Sequence, residues 1–366
     1  MSLADPVLTA FFTENKKHRF AYFSVHPQHP ELIVCILEDH THDEPVAVKN
    51  SLVVIDTVQE TVTPLVQGAD FYSSPCFSQN GQSIAWIQWC VWSPLVALTI
   101  VDVIPQRYHP NMPWEGGELV VARCKASKDG ITLEDTRVIA GRRNEYQAAE
   151  PVWLQSETLI FGSDRDGFLN PWILRDGKTA PLSPTLIPEE FGKPAWFLNW
   201  SQSAVLDENR VVFTSLRQGR AVIYLCNVLQ PSFLEIPSPY VQIETVRSGP
   251  SESVLFLGTK YDSDPEIVEL TFPGNTPHFN VLKFAGDGSL PFPKTYIGPP
   301  HPVALTLPSE DPLYVILYSP KNPDYTGGLP GERPPGIVNV HGGPTWMEGQ
   351  ALDWTKRFFT SRGFAW

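Results

Sequence analysis

The sequence predicts a mainly β chain, a β-propeller of six to eight blades, followed by the first part of an α/β domain. Three observations predict it. Short apolar runs bounded by Gly, Pro, Asn or Asp recur along most of the chain, with almost no helical periodicity. A unit made of a proline-aromatic entry, a turn, an apolar strand, a polar hairpin and another strand repeats. Near the C-terminus the pattern changes to strand, glycine turn and helix.

The strand-like runs are Leu32–Leu37, Ser51–Asp56, Ser83–Trp89, Glu118–Arg123, Thr158–Gly162, Arg210–Ser215, Ala221–Val228, Ser253–Gly258 and Glu266–Leu270. The repeat shows in Ser74-Pro75-Cys76-Phe77 before Ile84-Ala85-Trp86, and in Glu150-Pro151-Val152-Trp153 before Leu159-Ile160-Phe161. It shows again in Lys193-Pro194-Ala195-Trp196 before Arg210–Ser215. Trp153 and Trp196 lie 43 residues apart, a normal blade length. An irregular β-sandwich is the competing architecture. Asp166-Gly167 reads as a hairpin turn, because both residue types tolerate positive φ.

The chain has 366 residues, enough for two domains, and a formal charge of −13. That charge argues against a nucleic-acid partner or an anionic membrane surface. No basic segment followed by an apolar one opens the sequence, and the longest apolar stretch is broken by Ser93, Pro94 and Asp102. A cytoplasmic protein without a membrane partner is expected. The five cysteines are scattered and form no C-x-x-C, so reduced thiols are expected rather than disulfides or zinc. His26-Pro27-Gln28-His29 and Asp39-His40-Thr41-His42-Asp43-Glu44 read as solvated loops, and no metal is expected.

The candidate chemistry lies at His341-Gly342-Gly343-Pro344, which follows the apolar run Gly336-Ile337-Val338-Asn339-Val340. A strand ending in His-Gly-Gly is how many α/β-hydrolases build half of an oxyanion hole. Glycine lets a backbone N–H approach a developing oxyanion with no Cβ in the way. Leu313–Tyr318 is expected as a neighbouring strand. Leu352–Arg362 is expected as the following helix, with Leu352, Phe358 and Phe359 on or near one face. Gly363 reads as its stop, and Phe364–Trp366 as the start of a further strand.

Several segments resemble the prolyl oligopeptidase family of serine peptidases, in its dipeptidyl-aminopeptidase/acylaminoacyl-peptidase-like branch. They are Ser83–Trp89, His109-Pro110-Asn111-Met112-Pro113-Trp114-Glu115-Gly116, Ser163–Asn170, Glu190–Trp196, Asn322-Pro323-Asp324-Tyr325, Gly331–Pro335, His341–Thr345 and Thr360–Ala365. The resemblance runs from about residue 20 to the end of the sequence. It implies an N-terminal segment over 1–19, a propeller over 20–298, and an incomplete α/β-hydrolase domain over 299–366.

The resemblance also implies cofactor-free hydrolysis of short peptides by a Ser-Asp-His triad, of aminopeptidase, dipeptidyl-peptidase or acylaminoacyl-peptidase type. Gly343 would offer one oxyanion N–H, with His341, Gly342 and Pro344 shaping the turn. No G-x-S-x-G occurs, and the family's pattern puts the serine, aspartate and histidine beyond Trp366. The chain therefore reads as a fragment that is catalytically inactive by itself. A second departure is the apolar insert 90–107, which interrupts the match and is expected to lie outside the ordered propeller core. A non-catalytic propeller scaffold and a cofactor-free esterase are the alternative functions.

Overall fold

The computed structural model describes residues 17–44, 47–89, 112–128, 130–154, 157–193, 198–286, 288–309, 312–343 and 345–366. The insert 90–107, residues 1–16 of the N-terminal segment, the His109–Asn111 part of the family match, the Pro194–Trp196 entry and Pro344 lie outside them. The chain forms two compact units. The first is essentially residues 1–200, and the second comprises 201–206, 210–227 and 232–366.

The first unit holds three four-stranded antiparallel sheets. They are β1–β4 (His18–Val25, Leu32–Asp39, Lys49–Asp56, Thr61–Val66), β5–β8 (Phe71–Phe77, Ser83–Trp89, Glu118–Ser127, Gly130–Ala140) and β9–β12 (Ala148–Trp153, Leu159–Ser163, Asn170–Arg175, Lys178–Pro181). Each is an up-and-down meander in chain order. The first strands of successive sheets lie against each other, β1 on β5 and β5 on β9.

The second unit holds two more such sheets, β13–β16 (Ser203–Val205, Arg210–Arg217, Arg220–Asn227, Ser232–Ile236) and β17–β20 (Gln242–Ser248, Val254–Thr259, Glu266–Thr271, His278–Phe284). Here β13 lies on β17. Serial four-stranded meanders touching through their first strands are propeller blades. The described residues contain five of them, against the six to eight expected from the sequence.

All nine predicted strand runs fall on strands, and each of these strands has two ladder partners. The reason is visible in β6 and β7. Ile84 and Trp86 pack toward the first sheet with Val120, Ala122 and Cys124, while Ala85, Ile87 and Trp89 pack toward the third with Leu119 and Val121. Antiparallel strands ordinarily alternate apolar and polar residues; these bury both faces and so read as continuous apolar runs. In the second unit Val212, Ile223, Val254, Phe256, Val268 and Leu270 form the equivalent core between two sheets.

The proline-aromatic entries prove to be first strands, with Pro75-Cys76-Phe77 in β5 and Pro151-Val152-Trp153 in β9. These strands share a feature that the sequence did not disclose. Four of the five break register at a bulge, each with one residue at positive φ: Tyr22 (57°), Ser74 (53°), Glu150 (48°) and Thr245 (56°). A bulge bends its strand and re-aims a side chain.

Asp166-Gly167 forms the expected turn, with Gly167 at φ 110° and its N–H donated to the Asp164 carbonyl. The thiols of Cys35, Cys76, Cys124 and Cys226 are free. Burial pushes Cys35 and Cys226 up to about 12, far from reactive thiolates. Among the described residues no helix is long and apolar enough to cross a membrane.

His26 corrects one expectation, because it is 2% exposed rather than solvated. Its Nδ1 accepts from the Gln28 and His29 backbone N–H groups, so Nε2 carries the proton and donates to the Gly81 carbonyl at 3.2 Å. A neutral ring is what the turn needs, and burial lowers the histidine's affinity for a proton below its ordinary value. The unfolded histidine titrates near 6.5. Above that pH the stabilisation is full; as pH falls through it, the unfolded chain binds a proton that the fold resists, and stability is lost until the folded ring is also protonated. Urea midpoints of the wild-type chain should therefore fall more between pH 7.5 and 5 than those of His26→Gln. Parallel pH profiles would contradict this.

Candidate functional site

The region after the fifth sheet begins with a hairpin, β21 (His301–Thr306) and β22 (Pro312–Leu317), paired in full register. Tyr318 then exchanges both backbone hydrogen bonds with Trp366, at 2.8 and 3.0 Å. On its other side this terminal segment pairs in parallel with Gly336, through Ile337 N–H to the Ala365 carbonyl and Ala365 N–H to the Pro335 carbonyl, both 2.8 Å. The lateral order is hairpin, residues 364–366, then residues 335–337. Leu313–Tyr318 is therefore not the direct neighbour of the glycine-turn segment; the terminal residues lie between them. A parallel pair requires a crossover connection, and a helix sits within it.

That helix, α1, spans Trp354–Thr360. The Asp353 side chain accepts from the Lys356 N–H and caps its start, and Gly363 follows its end at φ 91°. The expected apolar face is corrected. Lys356, Arg357 and Thr360 are the buried residues, while Phe358 is 50% exposed. Phe359 is half-buried and its ring meets those of Phe364 and Trp366, each at 5.7 Å. The helix thus turns cations toward backbone carbonyls, which apolar periodicity cannot reveal.

The run Gly336–Val340 is also corrected. It forms one bridge at Gly336 and no strand; Val338 and Val340 are 88% and 80% exposed. The sequence is that of a strand buried on both faces, but beyond Ile337 no described backbone pairs with it. The turn follows, with His341, Gly342 and Gly343 exposed and Gly343 at φ 76°. A Cβ on Gly342 would meet nothing within 4 Å, and His341 Nδ1 reaches only the neighbouring Gly342 carbonyl, at 3.4 Å. The turn therefore presents its backbone to open space, as an oxyanion donor must.

Its approach is tied to α1. The Asn339 side-chain amide donates to the Glu348 carboxylate, and Glu348 takes the Lys356 ammonium at 2.9 Å. Lys356 Nζ also donates to the Gly349 carbonyl and stands 5.3 Å from the centre of the Tyr318 ring.

A second polar site, missed in the sequence, belongs to the first unit. Tyr22, Ser73, Ser74, Glu150, Lys193 and Trp200 line one cleft, and three of them are the left-handed bulge residues of the first three sheets. Lys193 Nζ stands 4.4 Å over the Trp200 ring. The Glu150 carboxylate reaches the Gly192–Lys193 loop, lying 3.6 Å from where a Gly192 Cβ would be. An acid, an ammonium group and the hydroxyls of Tyr22, Ser73 and Ser74 there offer both donors and acceptors. The Ser74-Pro75 and Glu150-Pro151 pairs were the available signal.

No protein-family model matches the chain, and no curated protein does. Solved structures do. The chain is 24% identical to puromycin hydrolase with a TM-score of 0.79, over 95% of this chain and 49% of that one. It is 26% identical to a puromycin-hydrolyzing peptidase of Mycobacterium tuberculosis with a TM-score of 0.78, over 95% and 50%. Prolyl oligopeptidase B from Galerina marginata matches with a TM-score of 0.62 at 12% identity, over 95% and 45%. The chain has the fold of the prolyl oligopeptidase family, in agreement with the resemblance in its sequence. It spans about half the length of the solved structures it matches.

In the 366-residue chain, Val338→Asp and Val340→Asp should each change stability by less than about 0.5 kcal/mol, as exposed substitutions do. An embedded strand would lose several times that amount. Urea titration followed by tryptophan fluorescence distinguishes the two, and a large loss would mean that the segment is packed.

Proposed function

We propose that residues 1–366 are the propeller body and oxyanion turn of a serine-type peptidase that cleaves short peptides in the cytoplasm. The likeness to two puromycin-hydrolysing enzymes over 95% of the chain carries this reading. The exposed glycine turn at the head of a parallel crossover gives it chemistry. We assign the propeller to 20–298 and the hydrolase start to 299–366. The nucleophile, acid and base are those that the family's pattern puts after the segment matching Phe364–Trp366.

In this mechanism the serine attacks the scissile carbonyl while histidine takes the hydroxyl proton, and aspartate fixes the histidine's orientation. The carbonyl oxygen gains negative charge as the tetrahedral intermediate forms. The Gly343 N–H donates to it, together with the N–H of the residue after the serine. Gly343 suits the task because it is exposed, its left-handed φ favours glycine, and no side chain screens its N–H. The histidine then gives the proton to the leaving amine, and water repeats the sequence on the acyl-enzyme.

Residues 1–366 alone should not label with a fluorophosphonate, nor hydrolyse aminoacyl or dipeptidyl chromogenic amides. The natural full-length protein containing this sequence should do both. In that protein Gly343→Pro, which removes the N–H, should lower kcat by about 10²–10³ with little change in KM. Unchanged kcat would remove Gly343 from the oxyanion hole. Labelling of residues 1–366 at one of their own serines would overturn the reading as a whole.

A further inference from the structure

Arg357 is the most unusual side chain of the second unit. It is fully buried, at 0% exposure, on a seven-residue helix. Among the described residues no carboxylate forms an ion pair with it. Its two terminal nitrogens donate instead to two carbonyls far apart in the sequence, Nη1 to Gly298 at 2.9 Å and Nη2 to Tyr261 at 3.0 Å. Its Cζ stands 4.8 Å from the centre of the Tyr318 ring, and Nε has no partner. Burial lowers its proton affinity, as desolvation of a cation must.

A buried charge without a counter-ion is costly, and apolar residues of the same size would fill such a space more cheaply. What an apolar residue could not supply is the planar fork, which joins three segments in one geometry. Tyr261 follows β18 of the fifth sheet, Gly298 lies on the connection to the hairpin, and Tyr318 ends the hairpin and pairs with Trp366. Around this point Leu352 N–H donates to the Lys260 carbonyl and Lys321 N–H to the Thr360 carbonyl. The preceding residue, Lys356, holds Glu348, which holds Asn339 two positions before His341.

We infer that Arg357 is a positioning residue for the glycine turn: it pins α1 to the fifth sheet, and the Lys356–Glu348–Asn339 chain carries that placement to residues 339–343. Its use in catalysis rests on the peptidase reading; the pinning itself does not.

Two measurements test this. Hydrogen exchange on residues 1–366 needs no activity. Arg357→Met and Arg357→Lys should each speed exchange at least tenfold at the Lys321, Ile337, Ala365 and Trp366 amides, with β1–β12 unchanged. Lysine should not rescue, because an ammonium cannot span both carbonyls as the guanidinium fork does. Wild-type exchange at these amides in Arg357→Met would overturn the pin. So would faster exchange everywhere, β1–β12 included, which would make Arg357 a general stability residue.

In the full-length protein, Arg357→Met should lower kcat per fluorophosphonate-titrated site at least tenfold with KM little changed. Unchanged kcat per titrated site would overturn the positioning role even if exchange were altered. Should the full-length protein neither label with a fluorophosphonate nor turn over aminoacyl or dipeptidyl chromogenic amides, the peptidase reading fails while the exchange result still stands.

Discussion

A four-stranded twisted sheet cannot cover its own two faces, and this constraint organises the chain. The strands β6 and β7 show the solution, with alternate residues sent to two different cores: Trp86 toward the first sheet, and Ala85, Ile87 and Trp89 toward the third. The second sheet is thereby stacked between the first and the third, and the stacking passes along first strands, where β1 meets β5 and β5 meets β9. Burial on both faces leaves little polar surface for function on the inner strands of a sheet. Chemistry is therefore left to loops, to bulges and to the segment after the fifth sheet.

The bulges show how a rigid stack still displays polar groups. Tyr22, Ser74 and Glu150 each take up a left-handed backbone conformation that costs a non-glycine residue energy. All three border one cleft. The same device at Thr245 shows it to belong to the repeat and not to one sheet alone. The segment after the fifth sheet solves a different problem. The side chains it buries on α1 are Lys356, Arg357 and Thr360, and it uses the Arg357 guanidinium and the Lys356 ammonium to satisfy carbonyls and a carboxylate.

Much of this was legible in the sequence, and the limits have physical causes. Interior strands such as Leu32–Leu37 and Ser83–Trp89 announced themselves because both faces are apolar. Edge strands did not: Lys178–Pro181 and Ser232–Ile236 are largely exposed and carry little hydrophobic signal. The glycine turn was readable as a motif, and Gly363 as a helix stop. The burial of Arg357 was not, since a cation satisfied by distant carbonyls has no local signature. His26 was misread for a similar reason, because its partner Gly81 lies 55 residues away. Gly336–Val340 read as a buried strand because its composition is that of one; pairing, which decides the matter, is not a property of composition.

The central functional claim is that the Gly343 N–H faces the developing oxyanion. The most direct measurement is a crystal structure of the full-length protein with a peptide boronate or phosphonate bound to its serine. The tetrahedral oxygen should lie about 3 Å from the Gly343 nitrogen, with the N–H directed at it. An oxygen held by other donors, with Gly343 turned away, would contradict it.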